Sequence, residues 1–575
     1  MVAILIACPL EGGLSVGLHA AALVYIPRLA QADLAVTLVR LRPTVLVTRS
    51  VPPSAILETW RSVVPSGSLS IVVLDRISKP ILPTDIAGIA VYECSGNDSI
   101  TVLAKVDRLV AAARWNHGPA TRFAGGDVTL VGAGIVNLIT ALRLRQSGFV
   151  VSVVDASPDP RTGAHWSRYG CTNGGANARM FTLTEADVYR PGVAGTTQFG
   201  VPASDGGWRV RDAEPTLSRA EDAWLADHQA LPGWLADVYA TDVYRFNRES
   251  GQHWRRMRRE RPDLFEQVQA CDEIVRLYSR HRYMHADLRR HRRLRLRTRH
   301  LRPAQVARRH PALADACAAN LVAGAIEVPG FTLAIHDLVA ALLSALEELG
   351  VHLAWDTPVQ RVCWAGGRVT GLRTHAGIIV SDHYVLSPGV ARGELFRQTS
   401  ADGLVQGVLG VWLTLPASDP PLTHSLKIKR RSVLARDTNV TVAGGALVLG
   451  SGYGWTGTDP EAVDAEQLRL ISAALMDTAH RYFPASFAQL DRDAVATRYC
   501  VRPWTASGLG VFASHPTDRG GLLFVTGGHN TGGFTQAPAV AEAVLAALRR
   551  WPHPMHTLYH PSRTAWWRPS AASAV

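Results

Sequence analysis

Cysteine is sparse in this chain of 575 residues, and the seven present (Cys8, Cys94, Cys171, Cys271, Cys317, Cys363 and Cys500) are scattered without a close pair. That spacing excludes a zinc cluster or a disulfide framework, and no metal site is expected. It fits a reducing, cytoplasmic setting. Long apolar runs are also missing. None reaches the roughly 20 residues a membrane helix requires, and the start MVAILIACPLEGG lacks the basic stretch of a secretory signal, so no membrane partner is expected. With 47% apolar and 19% charged residues the chain shows no bias towards disorder, collagen or coiled coil. Its length calls for about two to four domains rather than one core.

The formal net charge of +12 is concentrated in one place. Residues 244–310 hold twenty Arg and no Lys against seven Asp or Glu, and the remainder is close to neutral. Such a segment reads as a basic solvated face or as a polyanion-binding one. No aromatic platform is interleaved with the arginines, so nucleic acid is not expected as a partner.

Residues 1–115 alternate short apolar strands (VAILIAC, AVTLVR, TVLVTRS, SIVVLD, IAVYEC) with helical stretches, which predicts a flavodoxin-like α/β module with parallel strands. Its last helix is expected to start at Ser99 as N-cap, with Val102, Leu103, Val106, Leu109 and Val110 on one face. A linker over 116–126 follows. Farther on, Leu338, Leu342, Ala345, Leu346 and Leu349 recur at helical spacing, with Gly350 placed to end that helix. Strands then dominate until a last helix, AVAEAVLAALRR, and a tail over 551–575 rich in Pro, His and Trp carries no pattern of its own.

From Asp127 the order is strand, glycine turn, helix, strand, acid: DVTLVGAGIVNLITALRLRQSGFVVSVVDAS. Gly132 makes the sharp turn and Gly134 lets the backbone approach a pyrophosphate at the positive end of a helix opened by Ile135. Asp155, followed by Ala156, ends the second strand 23 residues after Gly132, where an acid receives ribose hydroxyls and favours FAD or NAD over a 2′-phosphorylated cofactor. Asn137 stands where a small residue is usual, and the helix is expected to sit slightly farther out.

The stretches VLVTRSVPPSAILETW and PTDIAGIAVYECSGND resemble the N-terminal half of D-2-hydroxyacid dehydrogenases. That family's catalytic acid and histidine lie later in its chain, so the likeness implies a scaffold or regulatory module and carries no catalytic residue here. The blocks GAHWSRYGCTNGGANARM, GAIEVPGFTLAIHDL, DHYVLSPGV, CVRPWTASGLGVF and LLFVTGGHNTGGFTQAP, in this order, resemble the D-amino-acid oxidase, glycine oxidase and sarcosine oxidase superfamily over residues 127–550. The resemblance implies an FAD-binding Rossmann-like domain interleaved with an antiparallel-sheet substrate domain. It implies that Asn173, Gly174 and Gly175 let the backbone approach the flavin, that Val359 presents its backbone to the adenine, and that Gly389 ends a strand against the cofactor. Gly527, Gly528, His529, Gly532, Gly533 and Phe534 would bring backbone N–H groups and a helix N-terminus to the flavin. Arg502 matches the arginine that pairs with a substrate carboxylate, although RPWTASG lacks the usual Pro and Asp of that block. Cys500 stands where some members carry a covalent flavin link.

The expected protein is thus an FAD-dependent oxidoreductase acting on the C–N bond of an amino acid or secondary amine, with oxygen as acceptor. Two rivals remain: an NAD-dependent 2-hydroxyacid dehydrogenase, suggested by residues 1–155, and a non-catalytic flavin-bound protein whose arginine-rich segment engages a polyanion.

Overall fold

The computed structural model describes residues 4–14, 22–75, 86–113, 125–162, 178–186, 198–211, 217–390, 395–443, 445–491 and 498–567. The first unit is a parallel sheet in the order β2-β1-β3-β4-β5, formed by β1 (Ile4–Ile6), β2 (Leu23–Tyr25), β3 (Val45–Thr48), β4 (Leu69–Val73) and β5 (Ile89–Glu93). That is the flavodoxin-like strand order. One expected strand is a helix: AVTLVR lies inside α1 (Gln31–Leu41). Leu34, Thr37 and Leu38 are buried at spacings of three and four while Val36 is 70% exposed, so the period is helical although the residues are β-branched. The helices α2 (Ser54–Val63) and α3 (Ser99–Ala112) complete the unit. The α3 face is buried as expected, but its cap is Asp98, whose carboxylate accepts from Thr101 N, while Ser99 Oγ donates to the Gly13 carbonyl at 2.8 Å.

From Asp127 the described residues build three further sheets: two large ones, between which the chain passes back and forth, and a small antiparallel one of Val359–Ala365, Arg368–Thr374 and Gly377–Ile379. A six-stranded sheet sets β6 (Asp127–Val131) and β7 (Val150–Val154), joined by α4 (Ile135–Arg145), beside the strands His352–Ala354, His383–Leu386, Leu522–Gly527 and Val511–Pro516. All its pairings are parallel except the last, which is antiparallel. A nine-stranded sheet draws on segments that lie between those strands in the chain, from Ala178–Thr182 to Arg498–Thr505. It is antiparallel apart from the parallel pairing of Ser425–Lys429 with Cys271–Tyr278. The helix Ile335–Glu348 buries Leu338, Leu342, Ala345 and Leu346 and is closed by Gly350 at φ +76.

The tail forms part of the core. After α5 (Arg219–Ala230), the 28-residue α6 (Gly233–Glu260) runs past α3, and Val102 and Val106 of α3 share an apolar core with Tyr239, Val243, Trp566 and Trp567. Inside that core Arg563 Nε donates to Asp107 at 2.6 Å and Nη2 donates to Asp242 at 2.5 Å, with both ends of the first pair fully buried. The Trp566 indole (3.0 Å) and the Tyr239 hydroxyl (3.1 Å) also donate to Asp107, and Arg108 reaches Asp242 at 2.9 Å. Burial pushes the Asp107 carboxyl up and the Arg563 guanidinium opposes it.

The arginine-rich segment is no single face. Arg258, Arg261 and Arg309 are paired with Asp272, Asp263 and Glu327, and Arg276 is buried beside Asp287, while Arg289, Arg292 and Arg293 are exposed.

Removing Arg563 would leave buried Asp107 without a cation and Asp242 with Arg108 alone. Arg563→Met is expected to lower the unfolding free energy by about 3–5 kcal/mol in urea titration. A loss below about 1 kcal/mol would show that the cluster does not hold the tail and the first sheet together.

Candidate cofactor and substrate site

The glycine turn is shaped by what surrounds it. Gly132 follows β6 at φ +97, and a Cβ there would lie 2.7 Å from the Ser387 carbonyl oxygen and 3.0 Å from Pro388 Cα. Only glycine fits. Gly134 caps α4, and a Cβ on it would meet nothing within 4 Å, so the helix N-terminus opens onto free space. Asp155 braces the turn: Oδ2 accepts from Ala133 N at 2.5 Å, and Oδ1 accepts from Ser157 N at 2.8 Å and from the Ser157 hydroxyl. Asn137, fully buried, does more than hold the helix at a distance. Its Nδ2 donates to the carbonyls of Val131 and Gly132, each at 2.8 Å, and so ties α4 to the end of β6.

The turn opens into a cavity of about 650 Å³ between the six-stranded and nine-stranded sheets. Gly132, Gly134, Ile135, Asp155, Ala156, Val359, Gly389, Cys500, Arg502, Gly527, His529, Gly533 and Phe534 all line it, brought together from strands and helices spread over 400 residues of chain. Gly528 and Gly532 are not among its lining residues, and each is packed closely on its Cβ side. A Cβ on Gly528 would strike Thr505 Cγ2 at 2.5 Å, and one on Gly532 would strike Ala186 Cβ at 2.9 Å. Asn173, Gly174 and Gly175 lie outside the described residues.

The cavity wall leaves backbone open to a ligand: a Cβ on Gly389, Gly527 or Gly533 would meet nothing within 4 Å. His529 is 4% exposed, and burial pushes its imidazole down to about 4, so it is neutral at neutral pH. Neither ring nitrogen makes a hydrogen bond of normal geometry among the described residues, with Gln536 its polar neighbour. Asn530, at φ +55, accepts from Thr505 N at 3.1 Å through Oδ1 while its Nδ2 has no partner. The helix Gly533–Leu548 begins at this same wall and aims its positive end at the cavity. These residues fit FAD.

The opposite wall is the nine-stranded sheet. Cys500 lies across from Gly410 and is buried. Arg502 is largely committed: Nε donates to the Val408 carbonyl at 3.3 Å, and Nη2 donates to the carbonyls of Leu409 (2.9 Å) and Gly452 (2.6 Å). Nη1 is the end left for a ligand, so a forked two-nitrogen grip on a carboxylate is not available in this arrangement. The lining residues without a sequence signal of their own include Asn530, Thr531 and Glu185, with Lys427 beside them. Glu185, 3% exposed, holds Lys427 Nζ at 3.0 Å and accepts from the Thr531 hydroxyl at 3.1 Å. A signal for Lys427 existed, because the chain has only four lysines and two of them alternate in SLKIK between apolar neighbours.

The family model described as FAD dependent oxidoreductase matches residues 127–547. The chain belongs to this family, DAO. It is an FAD-dependent enzyme of the amino acid or amine oxidoreductase group. That match overturns the nicotinamide dehydrogenase reading of residues 1–155. Among sequence relatives, the D-amino acid dehydrogenase 2 of Ralstonia nicotianae is 27% identical over 452 residues, 73% of this chain and 100% of its own. The D-amino acid dehydrogenase of Rhodopseudomonas palustris is 25% identical over 429 residues, 73% of this chain and 94% of its own. The solved fructosyl amine:oxygen oxidoreductase of Aspergillus fumigatus aligns with a TM-score of 0.51 at 15% identity, over 79% of this chain and 93% of that one. At that identity the likeness bears on the fold alone. Among the described residues no helix is long and apolar enough to cross a membrane.

Gly132→Ala is expected to yield folded protein whose flavin absorbance per mole falls by more than tenfold, and full flavin content would refute the turn's role. Acid precipitation of the unaltered protein is expected to leave flavin in the supernatant; flavin retained in the pellet would assign a bond to Cys500. The depressed His529 contributes stability that is complete above about pH 6.5 and is lost as pH falls towards 4, since the unfolded chain takes up the proton first. His529→Gln should therefore lessen the fall in melting temperature between pH 6.5 and 4, and an unchanged slope would deny the buried neutral imidazole.

Proposed function

We propose that this enzyme oxidises the C–N bond of an amino acid or secondary amine, with Arg502 receiving the substrate carboxylate through Nη1. The observation that carries the proposal is that Arg502, on the sheet wall, faces the same cavity as the glycine turn and His529. FAD, when bound, supplies the hydride acceptor, and the imine product hydrolyses to a carbonyl compound and ammonia or an amine. The chain's own work is positioning. Arg502, fixed by carbonyls on two strands, orients the carboxylate, and the two sheets exclude water from the space between them. Burial keeps His529 uncharged, so it places no cation at the flavin wall. No further acid or base is required, because an amine bound in its neutral form gives up its α-hydrogen directly. The relatives named as D-amino acid dehydrogenases support an amino acid substrate.

Oxygen is the proposed acceptor, and the dehydrogenase names favour a second reading in which a carrier takes the electrons. Peroxide formed one for one with carbonyl product under air is the expected result. Turnover without peroxide, sustained by an added quinone, would establish the carrier.

Arg502→Lys is expected to raise KM for an amino acid substrate about 10- to 100-fold while flavin content is kept, since a charge-assisted hydrogen bond is lost. An unchanged KM would remove Arg502 from substrate binding.

A further inference from the structure

The first sheet carries a cavity of its own, of about 630 Å³, and none of its lining residues lines the cofactor cavity. It sits at one edge of the sheet. Pro9 follows β1, Arg49 follows β3, Asp75 follows β4, and Glu93, Ser95 and Asn97 end or follow β5, so four strands deliver their carboxyl ends to the same space. Their parallel pairing puts those ends on one side. The chain steps from β1 outward to β2 and then returns to β3 on the other side of β1. A parallel sheet opens a crevice at such a reversal, outside the carboxyl ends of its strands, and ligands of these folds bind there. Topology and cavity single out the same place.

The lining decides what fits. A nucleotide in a crevice of this kind is held by its phosphates, on a glycine-rich loop and a free helix N-terminus. Here the start of α3 is occupied, because the Asp98 carboxylate accepts from Thr101 N at 2.9 Å, and Asp75 and Glu93 oppose the one cation, Arg49. A phosphate would meet more negative charge than positive. Arg49 and Asp75 stand at the ends of neighbouring strands, tied by the bond from Asp75 N to the Arg49 carbonyl at 2.9 Å, yet no ion pair among the described residues joins their side chains. A small ligand with both charges meets both: a carboxylate suits the planar guanidinium, and an ammonium suits the Asp75 carboxylate. Ser95 and Asn97 add hydrogen-bonding groups. We infer that the first module holds a second ligand site, for a free α-amino acid in its zwitterionic form. The volume is that of a small-molecule site and leaves room for the side chain. Lying apart from the flavin wall, it is a site for an effector and not for turnover. Asn97 directly precedes Asp98, the cap of α3, and α3 carries Asp107 of the Arg563 cluster, so a bound ligand touches the loop that starts this helix.

The test is isothermal titration of the full-length, flavin-loaded enzyme with the α-methyl forms of alanine, serine, aspartate, lysine and phenylalanine. These have no α-hydrogen to give and so are not consumed at the flavin. At least one is expected to bind at a site whose affinity falls about tenfold or more in Arg49→Gln and again in Asp75→Asn, one charge-assisted contact each. Both positions are exposed, so neither substitution threatens folding, and flavin content should be unchanged. Binding that survives both substitutions would belong to the cofactor cavity and would overturn the inference. Failure of every member of the series to bind would overturn it too. The substituted residues lie outside the cavity of Arg502, so either result leaves the catalytic reading to its own tests.

Discussion

The buried Arg563 cluster is the contact on which the rest of the molecule hangs. It joins three pieces far apart in the chain: α3 of the first sheet through Asp107, α6 through Asp242, and the tail through Arg563 itself. From that anchor α6 runs to the cavity. Its Asn247 Nδ2 donates to the carbonyls of Leu183 (3.1 Å) and Glu185 (2.7 Å), which sets the acid that holds Lys427. Its Ser250 hydroxyl accepts from Ala539 N at 3.2 Å, steadying the helix Gly533–Leu548, whose first turn forms the cofactor wall. Gly251 is needed because a Cβ there would sit 2.9 Å from the Phe181 ring. One long helix thus transmits the position of the first sheet and the tail to both walls of the site. The first sheet, which the family match does not include, is docked by the charge and indole donors gathered around Asp107.

The contrast between braced polar groups and open backbone separates framework from site. Asp155 spends its oxygens on Ala133 and Ser157, and Asn137 spends its amide protons on Val131 and Gly132. These are braces that make the turn rigid before anything binds. At the cavity wall the chain leaves backbone open instead: a Cβ on Gly134, Gly389, Gly527 or Gly533 would meet nothing within 4 Å.

How far the sequence could be read follows from how local each feature is. The turn Gly132–Gly134 with Asp155 is legible because its strand, helix and acid lie within 25 residues, although the neighbours that demand Gly132, Ser387 and Pro388, come from far along the chain. The helix closed by Gly350 is legible for the same reason. AVTLVR misleads because β-branched residues suggest a strand, yet the burial of Leu34, Thr37 and Leu38 against exposed Val36 decides for a helix. Asp98 displaces Ser99 as cap by a single residue, a choice between two competent side chains. The tail is unreadable in isolation because the partners of Arg563, Trp566 and Trp567 lie at 107, 239 and 242. Gly528 and Gly532 belong to a glycine-rich block that reads uniformly as cofactor contact, although each is demanded by a neighbouring side chain.

The state of Arg502 bears on what the enzyme selects. An arginine with both edges available grips a carboxylate by two parallel bonds, and that fork alone is a strong discriminator. Here the carbonyls of Val408, Leu409 and Gly452 consume Nε and Nη2, and the guanidinium plane is further set against the Tyr453 ring, 5.7 Å from its centroid. In the proposed reading the arginine thus gives up bond number for a fixed position, which would lower the ordering entropy lost when a carboxylate arrives, and a single remaining nitrogen would orient that carboxylate rather than discriminate among molecules that carry one.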